Sequence, residues 1–338
     1  MKTRQVHRTR RPDQASTEDF ALREVTLPAL ADGQVLVENL YMSVDPYMRQ
    51  SMGDGKDLEP WPLDGPLNGP SIGRVIETRN RDFSAGDIVE SMSGWQEHFV
   101  SGGGEFIPYL TPDDSLVIRR LEGGAEAKDY LGLLGIASQT AYYGLMCAAA
   151  PVPGGTIVIS SGAGTVGSIG CQIARVNGMR VVTSAGSDEK VAWLKDELGV
   201  DVAFNYKTRP IPEALEAACP DGIDLVLENA SPEHFCACLP LMKDCSTLLI
   251  AGFVSIYNTD GKIRNFSNFE YVLEKFLTIR CYPFMNYIDA YDRFVSDMLA
   301  WKADGRIFLK ETMYEGLEAA PAALMTLFDG SSHGKPLV

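Results

Sequence analysis

The sequence lacks the features expected of a membrane-spanning or nucleic-acid-binding protein. No apolar run in its 338 residues approaches the ~18 residues that a transmembrane helix needs. Positive charge is scarce as well, because 30 lysine and arginine residues stand against 45 aspartate and glutamate residues, a formal net charge of −15. Nucleic acids and anionic membranes would repel such a chain at long range, so we expect neither as a partner. An anionic ligand would need a local positive site.

Signatures of metal centres, disulfides and secretion are also missing. The seven cysteines include no C-x₂-C pair, the closest spacing being Cys236 and Cys238. The four histidines are scattered along the chain at His7, His98, His234 and His333. The basic stretch from Lys2 to Arg11 precedes no apolar segment, so we expect no secretory signal, with a transit peptide as the alternative. These absences predict reduced thiols, a cytoplasmic location and no metal centre.

The hydrophobic pattern divides the chain into a β-rich part and a part in which strands alternate with helices. Alternating segments at 34–41, 72–77 and 86–89 predict an antiparallel β domain in the first third. Beyond Gly154, short apolar strands alternate with helices, which is typical of a parallel sheet built from βαβ units. These strands are predicted at 156–160, 180–183, 203–205, 224–227 and 247–251. After Asp289 the pattern predicts a helix through Trp301, a short strand at 307–310 and a second helix through Leu324.

A glycine-rich motif follows the first strand of the βαβ part. Gly162, Gly164 and Gly167 fit G-x-G-x-x-G, between the strand at 156–160 and an apolar helix at 169–176. In that context the first glycine permits a tight turn, the second lets backbone amides approach a pyrophosphate, and the third lets helix and strand pack closely. The positive end of the helix dipole suits an anion. The motif predicts a dinucleotide site, and a glycine-rich turn without a ligand is the alternative.

The next βα turn bears on the choice between NADP and NAD. An NAD site usually has an acidic residue about 20 residues further on, at the end of the second strand. Here that strand ends at Gly186 and Ser187. The acids Asp188 and Glu189 follow, where they can equally serve the first turn of a helix capped by Ser187. Lys190 comes next and is available to a 2′-phosphate, so the spacing favours NADP.

Together these motifs resemble the zinc-lacking branch of the medium-chain dehydrogenase/reductase superfamily, in particular the leukotriene B4 dehydrogenase, prostaglandin reductase and alkenal double-bond reductase family. The resemblance covers nearly the whole chain. Its most specific segments are 39–49 (NLYMSVDPYMR), 94–97 (GWQE), 185–190 (AGSDEK), 205–207 (NYK), 220–224 (PDGID) and 255–258 (SIYN). It implies an α/β fold with a GroES-like β-rich catalytic domain (1–122 and 289–338), a doubly wound parallel-sheet Rossmann domain (123–288) and an active site in the cleft.

The resemblance also implies NADPH as the cofactor. Its implied contacts are Gly162, Gly164, Thr165, Val166, Gly167, Gly186, Lys190, Tyr206, Asn229, Ala251, Gly252, Phe253, Val254, Ser255, Tyr282, Pro283, Phe284 and Ser332. Of these, Lys190 and Tyr206 would bind the 2′-phosphate and residues 164–167 the pyrophosphate. The contacts from Asn229 to Phe284 would bind the nicotinamide side.

The activity implied by the resemblance is reduction of the carbon–carbon double bond of α,β-unsaturated ketones and aldehydes, by hydride transfer from NADPH to the β-carbon. Tyr257 matches the residue that contacts the substrate carbonyl, and Tyr47 matches a second pocket tyrosine. Half-buried packing is the alternative for either side chain. A quinone reductase and a non-catalytic NADPH-binding scaffold are the alternative functions. The family also implies a homodimer, joined through the strand at 277–281.

Three departures from family patterns bear on these expectations. Zinc-dependent relatives carry a Gly-His-Glu element and a four-cysteine loop, whereas this chain has Gly-Pro-Ser at 69–71 and no clustered cysteines. The family's Gly-Met-Pro-Gly-Leu-Thr-Ala-Tyr segment is Gly-Ile-Ala-Ser-Gln-Thr-Ala-Tyr at 135–142, which predicts a different substrate preference. Ser332 replaces an asparagine that helps to hold the cofactor, so one polar contact differs.

Overall fold

The computed structural model describes residues 1–53, 60–102, 118–121, 125–264 and 266–338, which form two compact units. The first unit contains Met1–Gly135, Glu311–Ser332 and Pro336–Val338, and the second contains Ile136–Lys310 and His333–Lys335. Among these described residues, no helix is both long enough and apolar enough to cross a bilayer.

The first unit is built mainly from antiparallel strands. They are β1 (Lys2–Arg8), β2 (Phe20–Thr26), β3 (Val35–Met42), β4 (Ser71–Thr78), β5 (Ile88–Ser91), β6 (His98–Ser101) and β7 (Ile118–Arg120). β1 pairs with β2, and the others form an antiparallel sheet in the order β6-β3-β4-β5-β7. Three valines of this sheet are wholly buried. Val35 and Val37 lie two apart in β3 and so face the same side, and Val75 lies in the neighbouring β4. The unit also has a short helix, α1 (Met48–Ser51), and 3₁₀ turns at Thr17–Asp19 and Ala127–Tyr130.

The second unit contains a six-stranded parallel sheet. Its strands are β8 (Thr156–Ile159), β9 (Arg180–Ala185), β10 (Val202–Asn205), β11 (Ile223–Glu228), β12 (Met242–Ile250) and β13 (Thr278–Cys281). Their order is β10-β9-β8-β11-β12-β13, the doubly wound order of a Rossmann fold. Ile157, Val158 and Ile159 are all fully buried, which is typical of a strand covered on both faces. The predicted Rossmann fold is therefore confirmed.

Helices follow most of these strands. They are α2 (Ile136–Tyr143), α3 (Thr165–Val176), α4 (Asp188–Asp196), α5 (Ile211–Ala218), α6 (Pro232–Cys238), α7 (Val254–Tyr257), α8 (Glu270–Glu274) and α9 (Tyr291–Ala303). A π-helical turn (Gly144–Ala148) continues α2, and 3₁₀ turns occupy Leu239–Leu241 and Phe284–Ala290. The strand order reverses between β8 and β11, so the carboxyl ends of these strands are the expected ligand crevice.

The C-terminal segment contains the 3₁₀ turn Leu317–Ala319, the helix α10 (Ala320–Asp329) and two paired strands, β14 (Glu311–Met313) and β15 (Lys335–Leu337). The prediction of a strand at 307–310 was wrong, because these residues are irregular and the strand begins at Glu311. The physical reason lies at Phe308, whose backbone N–H and carbonyl are both bound by the side-chain amide of Gln172, at 2.9 Å each. Its backbone groups therefore need no neighbouring strand.

The boundaries of the second unit lie elsewhere than the predicted 123–288. The unit extends over 136–310 and so includes α9, which the sequence grouped with the first domain. Phe294 of α9 is fully buried and packs against Tyr142, with 5.3 Å between ring centroids. The amphipathic pattern of α9 predicts a helix, but it does not reveal which apolar surface that helix covers.

Candidate active site

The glycine-rich turn joins β8 to α3 at the carboxyl end of the parallel sheet. A Cβ on Gly167 would lie 2.2 Å from the Ser161 carbonyl oxygen, and a Cβ on Gly162 would lie 2.1 Å from Thr183 Oγ1. Thr183 is held in place because its hydroxyl donates to the Ile159 carbonyl at 2.6 Å. Both positions therefore require glycine for the turn to close against its neighbours.

Gly164 has a different role in the same turn. It is the N-cap of α3, where no side chain caps the helix, and a Cβ there would make only an ordinary contact of 3.4 Å with Ser161. The first turn of α3 contains no acidic residue. Since a helix leaves its first backbone N–H groups without intrahelical partners, this turn can receive an anion. It fits the pyrophosphate predicted for Gly164, Thr165, Val166 and Gly167.

The residues predicted for the 2′-phosphate meet where β9 leads into α4: Lys190 lies in the first turn of α4, and Tyr206 follows β10. Ser187 caps α4, its hydroxyl accepting the Lys190 backbone N–H at 3.3 Å, and two acidic residues occupy the first turn. These acids stand where the helix dipole favours them, as the alternative interpretation predicts. A Cβ on Gly186 would lie 3.0 Å from the Tyr206 hydroxyl. Gly186 and Tyr206 therefore meet at the start of α4, where Lys190 also lies.

A further segment packs against the glycine-rich turn and was missed by sequence reasoning. The Gly334 N–H donates to the Ala163 carbonyl at 2.9 Å, and the Thr165 hydroxyl donates to the Gly334 carbonyl at 3.3 Å. Gly334 has a φ of 73°, and a Cβ on it would lie 2.1 Å from the Lys310 carbonyl oxygen. The sequence signal was this glycine between His333 and Lys335, but only the structure reveals its partner.

His333, beside that glycine, lies against α4. Its ring meets Trp193 edge-on, with 4.7 Å between ring centroids, and Lys310 Nζ lies 5.5 Å from the centre of the Trp193 ring. Burial lowers the pKa of His333 to about 4, and the positive charges of Lys310 and Lys190 act in the same direction. Lys310 and Lys190 thus act on this ring together with Glu189 and Glu197, whose charges act in the opposite direction. Ser332 donates its backbone N–H to another part of the first unit, and its cofactor contact stays a prediction.

The residues predicted for the nicotinamide side follow the ends of β11, β12 and β13. The Asn229 N–H donates to the Ser160 hydroxyl at 2.8 Å, and its side-chain amide donates to the Ser160 carbonyl at 2.5 Å. The Ala251 N–H donates to the Glu228 carbonyl at 2.8 Å. Because the carboxyl ends of parallel strands share one edge, the structure brings Asn229, the stretch from Ala251 and the stretch from Tyr282 to the edge that carries the glycine-rich turn.

Tyr282 contributes its side chain to the interior of the second unit. It is only 6% exposed, and a Cβ on Gly144 would lie 2.5 Å from its hydroxyl. That hydroxyl has no hydrogen-bond partner among the residues that the structure describes, and burial raises its pKa. The cofactor contacts predicted for Tyr282, Pro283 and Phe284 stay predictions.

Tyr257 ends the short helix α7, with its hydroxyl against Gly252. A Cβ on Gly252 would lie 2.5 Å from the Tyr257 hydroxyl oxygen, so glycine leaves room for the phenol. Burial raises the pKa of Tyr257, while a hydrogen bond with the Phe253 backbone acts in the opposite direction. The phenol is therefore protonated at neutral pH and can donate a hydrogen bond.

Tyr47 belongs to the first unit, where it immediately precedes α1. Its half-buried side chain packs against a core cluster that includes Trp61 and Trp95. This packing agrees with the alternative interpretation from the sequence, in which the Tyr47 side chain is half-buried packing. The catalytic role of Tyr47 stays a prediction.

The scattered histidines have polar partners within the protein. Within the described ranges, no group of three or more metal-ligating side chains is arranged to hold a metal ion. His7 Nε2 lies 3.0 Å from the Gln5 side-chain oxygen, and His98 Nδ1 lies 3.1 Å from the Thr3 hydroxyl.

Two family models match this chain. One, described as the N-terminal domain of oxidoreductase, matches residues 4–108, and another, described as zinc-binding dehydrogenase, matches residues 165–300. With the six-stranded parallel sheet and its glycine-rich turn, these matches define a medium-chain dehydrogenase/reductase.

Individual relatives identify the family within this class. Prostaglandin reductase 1 from Bos taurus is 36% identical over 96% of this chain and 94% of its own length, and 2-alkenal reductase (NADP(+)-dependent) from Nicotiana tabacum is 32% identical over 95% and 92%. The crystal structure of CurA in complex with NADPH from Vibrio vulnificus matches with a TM-score of 0.89 and 31% identity, covering 99% of this chain and 98% of its own. The chain belongs to the prostaglandin reductase and alkenal reductase family of zinc-independent medium-chain reductases, as its sequence motifs predict.

Proposed function

We propose that this chain is an NADPH-dependent reductase that saturates the carbon–carbon double bond of α,β-unsaturated ketones and aldehydes. The relatives named for NADP and NADPH support the cofactor, and those named for alkenals and prostaglandins support the substrate class. The observation that carries the proposal is a protonated phenol, Tyr257, lying against Gly252 at the sheet edge that also bears the glycine-rich turn.

The chemistry assigns a task to each part of this edge. NADPH supplies the hydride that reaches the β-carbon of the substrate. As the hydride arrives, negative charge develops on the carbonyl oxygen, and the Tyr257 hydroxyl donates a hydrogen bond to that oxygen. Asn229, fixed by two hydrogen bonds to Ser160, lines the nicotinamide side. Tyr47 is the second tyrosine that we propose for the substrate pocket.

Selectivity for NADPH would come from the second turn. Lys190 and Tyr206 would bind the 2′-phosphate, because an ammonium and a phenol can both donate hydrogen bonds to phosphate oxygens. The strand that leads to Gly186 ends without the acidic residue that would hold an NAD ribose and repel a phosphate.

We also propose that two copies pair through β13. This strand is one of the two edge strands of the six-stranded sheet, and Leu273 and Phe276 just before it are 76% and 75% exposed. An uncovered edge presents N–H and C=O groups that a second copy of the same strand can bind. Light scattering at micromolar concentration should give twice the chain mass, and a monomer mass would refute the pairing.

Replacing Tyr257 by phenylalanine tests the reductase function. With an enal or enone and NADPH, the native protein should form the saturated carbonyl compound and no allylic alcohol. Tyr257→Phe should lower kcat by more than roughly tenfold, since removing one donor to a developing oxyanion costs ~10²–10³ elsewhere and a second donor can compensate in part. The dissociation constant for NADPH should change less than kcat.

Tyr206→Phe serves as the matched control, because it removes a hydroxyl from the second turn and should affect NADPH binding rather than kcat. An unchanged kcat in Tyr257→Phe would remove Tyr257 from the reaction. Turnover of quinones without enones would favour the quinone reductase alternative. NADPH binding without any turnover would favour the scaffold.

A further inference from the structure

A buried carboxylate lies beneath the turn that carries Asn229. Glu228, the last residue of β11, is fully buried, and its Oε1 accepts three hydrogen bonds. The donors are the Ser160 hydroxyl at 2.9 Å, the Ala230 N–H at 2.7 Å and the Ser231 N–H at 2.8 Å. One carboxylate oxygen therefore fixes the end of β8 and the whole turn after β11.

The other carboxylate oxygen faces a buried histidine. His234 on α6 is only 2% exposed, and its Nδ1 lies 3.1 Å from Glu228 Oε2. The contact is close but poorly aligned, and within the described residues this oxygen accepts no hydrogen bond of good geometry. On the far side of the ring, His234 Nε2 lies 3.2 Å from the hydroxyl of Ser184 on β9. The Ser184 carbonyl in turn accepts the Gly162 N–H at 2.9 Å. The imidazole thus connects the Asn229 turn to the glycine-rich turn through two contacts.

The pair also reaches two further turns of the sheet edge, those after β9 and β12. Ser184 precedes Gly186 by two residues, and the Glu228 carbonyl accepts the Ala251 N–H. Four of the turns predicted to contact NADPH, those after β8, β9, β11 and β12, are thus linked to one buried Glu–His pair. Burying such a pair costs desolvation free energy, and apolar side chains of the same volume are often as stabilising or more so. A stabilising role alone therefore does not explain a polar pair at this place.

We infer that Glu228 and His234 are positioning residues for the dinucleotide, holding the pyrophosphate turn and the nicotinamide turn at the separation that one NADPH molecule must bridge. Neither side chain needs to touch the cofactor. The inference rests on the proposed cofactor and not on the proposed substrate.

The neighbours of the imidazole allow a matched pair of variants. The His234 ring stacks on Phe204, with ring centroids 6.4 Å apart and an interplanar angle of 6°, so His234→Phe keeps an aromatic ring there and removes both polar contacts. Cys238 Sγ also approaches His234, at 3.8 Å from Nδ1. Cys238→Ala removes a buried contact of the same ring but leaves the contacts to Glu228 and Ser184, so it controls for a general loss of stability.

Fluorescence titration of each folded variant with NADPH and with NADH, without substrate, tests the inference. His234→Phe should weaken the binding of both dinucleotides by the same factor, at least tenfold. Cys238→Ala should stay within about twofold of the native dissociation constants, even if its unfolding free energy falls. His234→Gln, which keeps a polar group on α6, should recover part of the loss and replaces His234→Phe if that variant does not fold.

Hydrogen exchange of the cofactor-free protein supplies a second readout. The amides of Ala230, Ser231 and Gly162 should exchange faster in His234→Phe than in Cys238→Ala. Native dissociation constants in His234→Phe would overturn the inference. So would weakening confined to NADPH, since that would indicate an effect on the 2′-phosphate alone. Because no substrate is present, a failure here leaves the proposed reductase function untouched, and the reverse also holds.

Discussion

The two turns proposed to receive the phosphates of NADPH are built in different ways. In the first turn, a single added methyl group on Gly162 or Gly167 would lie 2.1 or 2.2 Å from its neighbours. In the second turn, a methyl group on Gly186 would lie 3.0 Å from the tip of Tyr206, a side chain that is 41% exposed. Close packing against the Ser161 carbonyl and the buried Thr183 side chain fixes the first turn, whereas partly exposed side chains define the second. Dinucleotide binding as such should therefore depend on the first, and the choice between NADPH and NADH on the second.

The largest effect is expected for Gly167→Ala. Overpacking costs ~1–3 kcal/mol and more where backbone cannot shift, so the binding of NADPH and NADH should weaken alike, by roughly 100-fold. Titration calorimetry with both dinucleotides measures the loss. Gly164→Ala serves as a comparison for stability alone: its Cβ meets nothing closer than 3.4 Å, so the free protein should keep its unfolding free energy, although the added methyl group should hinder the approach of the pyrophosphate. A Gly167→Ala protein with native affinities would show that the first turn is not sterically fixed.

Lys190→Ala should affect the selectivity for NADPH that we attribute to the second turn, without affecting the dinucleotide binding that we attribute to the first. A charged hydrogen bond is worth ~1.5–3 kcal/mol, so kcat/KM for NADPH should fall by roughly 10- to 150-fold while the value for NADH stays nearly constant. Lys195→Ala removes the same charge from the other end of α4 and should leave both values unchanged. Equal losses with both dinucleotides would mean that Lys190 does not bind the 2′-phosphate.

The smallest expected effect concerns His333, which lies beside both turns. Its pKa in the folded protein is about 4 against an ordinary 6.5, so the unfolded chain takes up the proton first as pH falls. The titration of His333 thus leaves the free energy of unfolding unchanged above pH 6.5 and lowers it as the pH falls from 6.5 to 4. Because the side chain is only partly buried and solvent screens part of the interaction, we expect a loss of stability of about 1–2 kcal/mol.

Urea unfolding at pH 7 and pH 4.5 measures this loss of stability. Carboxylates also titrate in that window, so their contribution must be subtracted. The comparison is therefore native protein against His333→Leu, and the variant should lose less stability on acidification. Identical pH dependence in the two proteins would contradict the shifted pKa of His333.

The contrast between the turns also explains what the sequence could predict. Parallel strands buried on both faces read as apolar runs, so β8 to β12 were predicted near their observed places. The glycine-rich turn was predictable because its chemistry is set by local spacing. The contact of His234 with Ser184 joins residues 50 apart, and no local pattern indicates such a pair. Gly334 was missed for the same reason, since it meets Thr165 across 169 residues.

The two tyrosines illustrate the same limit. Family position predicts a role for Tyr257 first and for Tyr47 second, and their surroundings in the structure differ. Tyr257 has its hydroxyl against a glycine and a raised pKa, whereas Tyr47 packs on an apolar cluster. Packing of this kind depends on which elements meet in three dimensions, and periodicity in the sequence reports only which face of an element is apolar.

The position of the transferred hydride tests the central proposal most directly. NADPH carrying deuterium at the transferred position of nicotinamide C4 is mixed with a simple enone and the purified protein, and the product is examined by NMR. The proposed reductase should leave deuterium only on the β-carbon of a saturated ketone, with the new α-hydrogen drawn from solvent. Deuterium on the carbonyl carbon of an allylic alcohol would contradict the proposal and indicate an alcohol dehydrogenase.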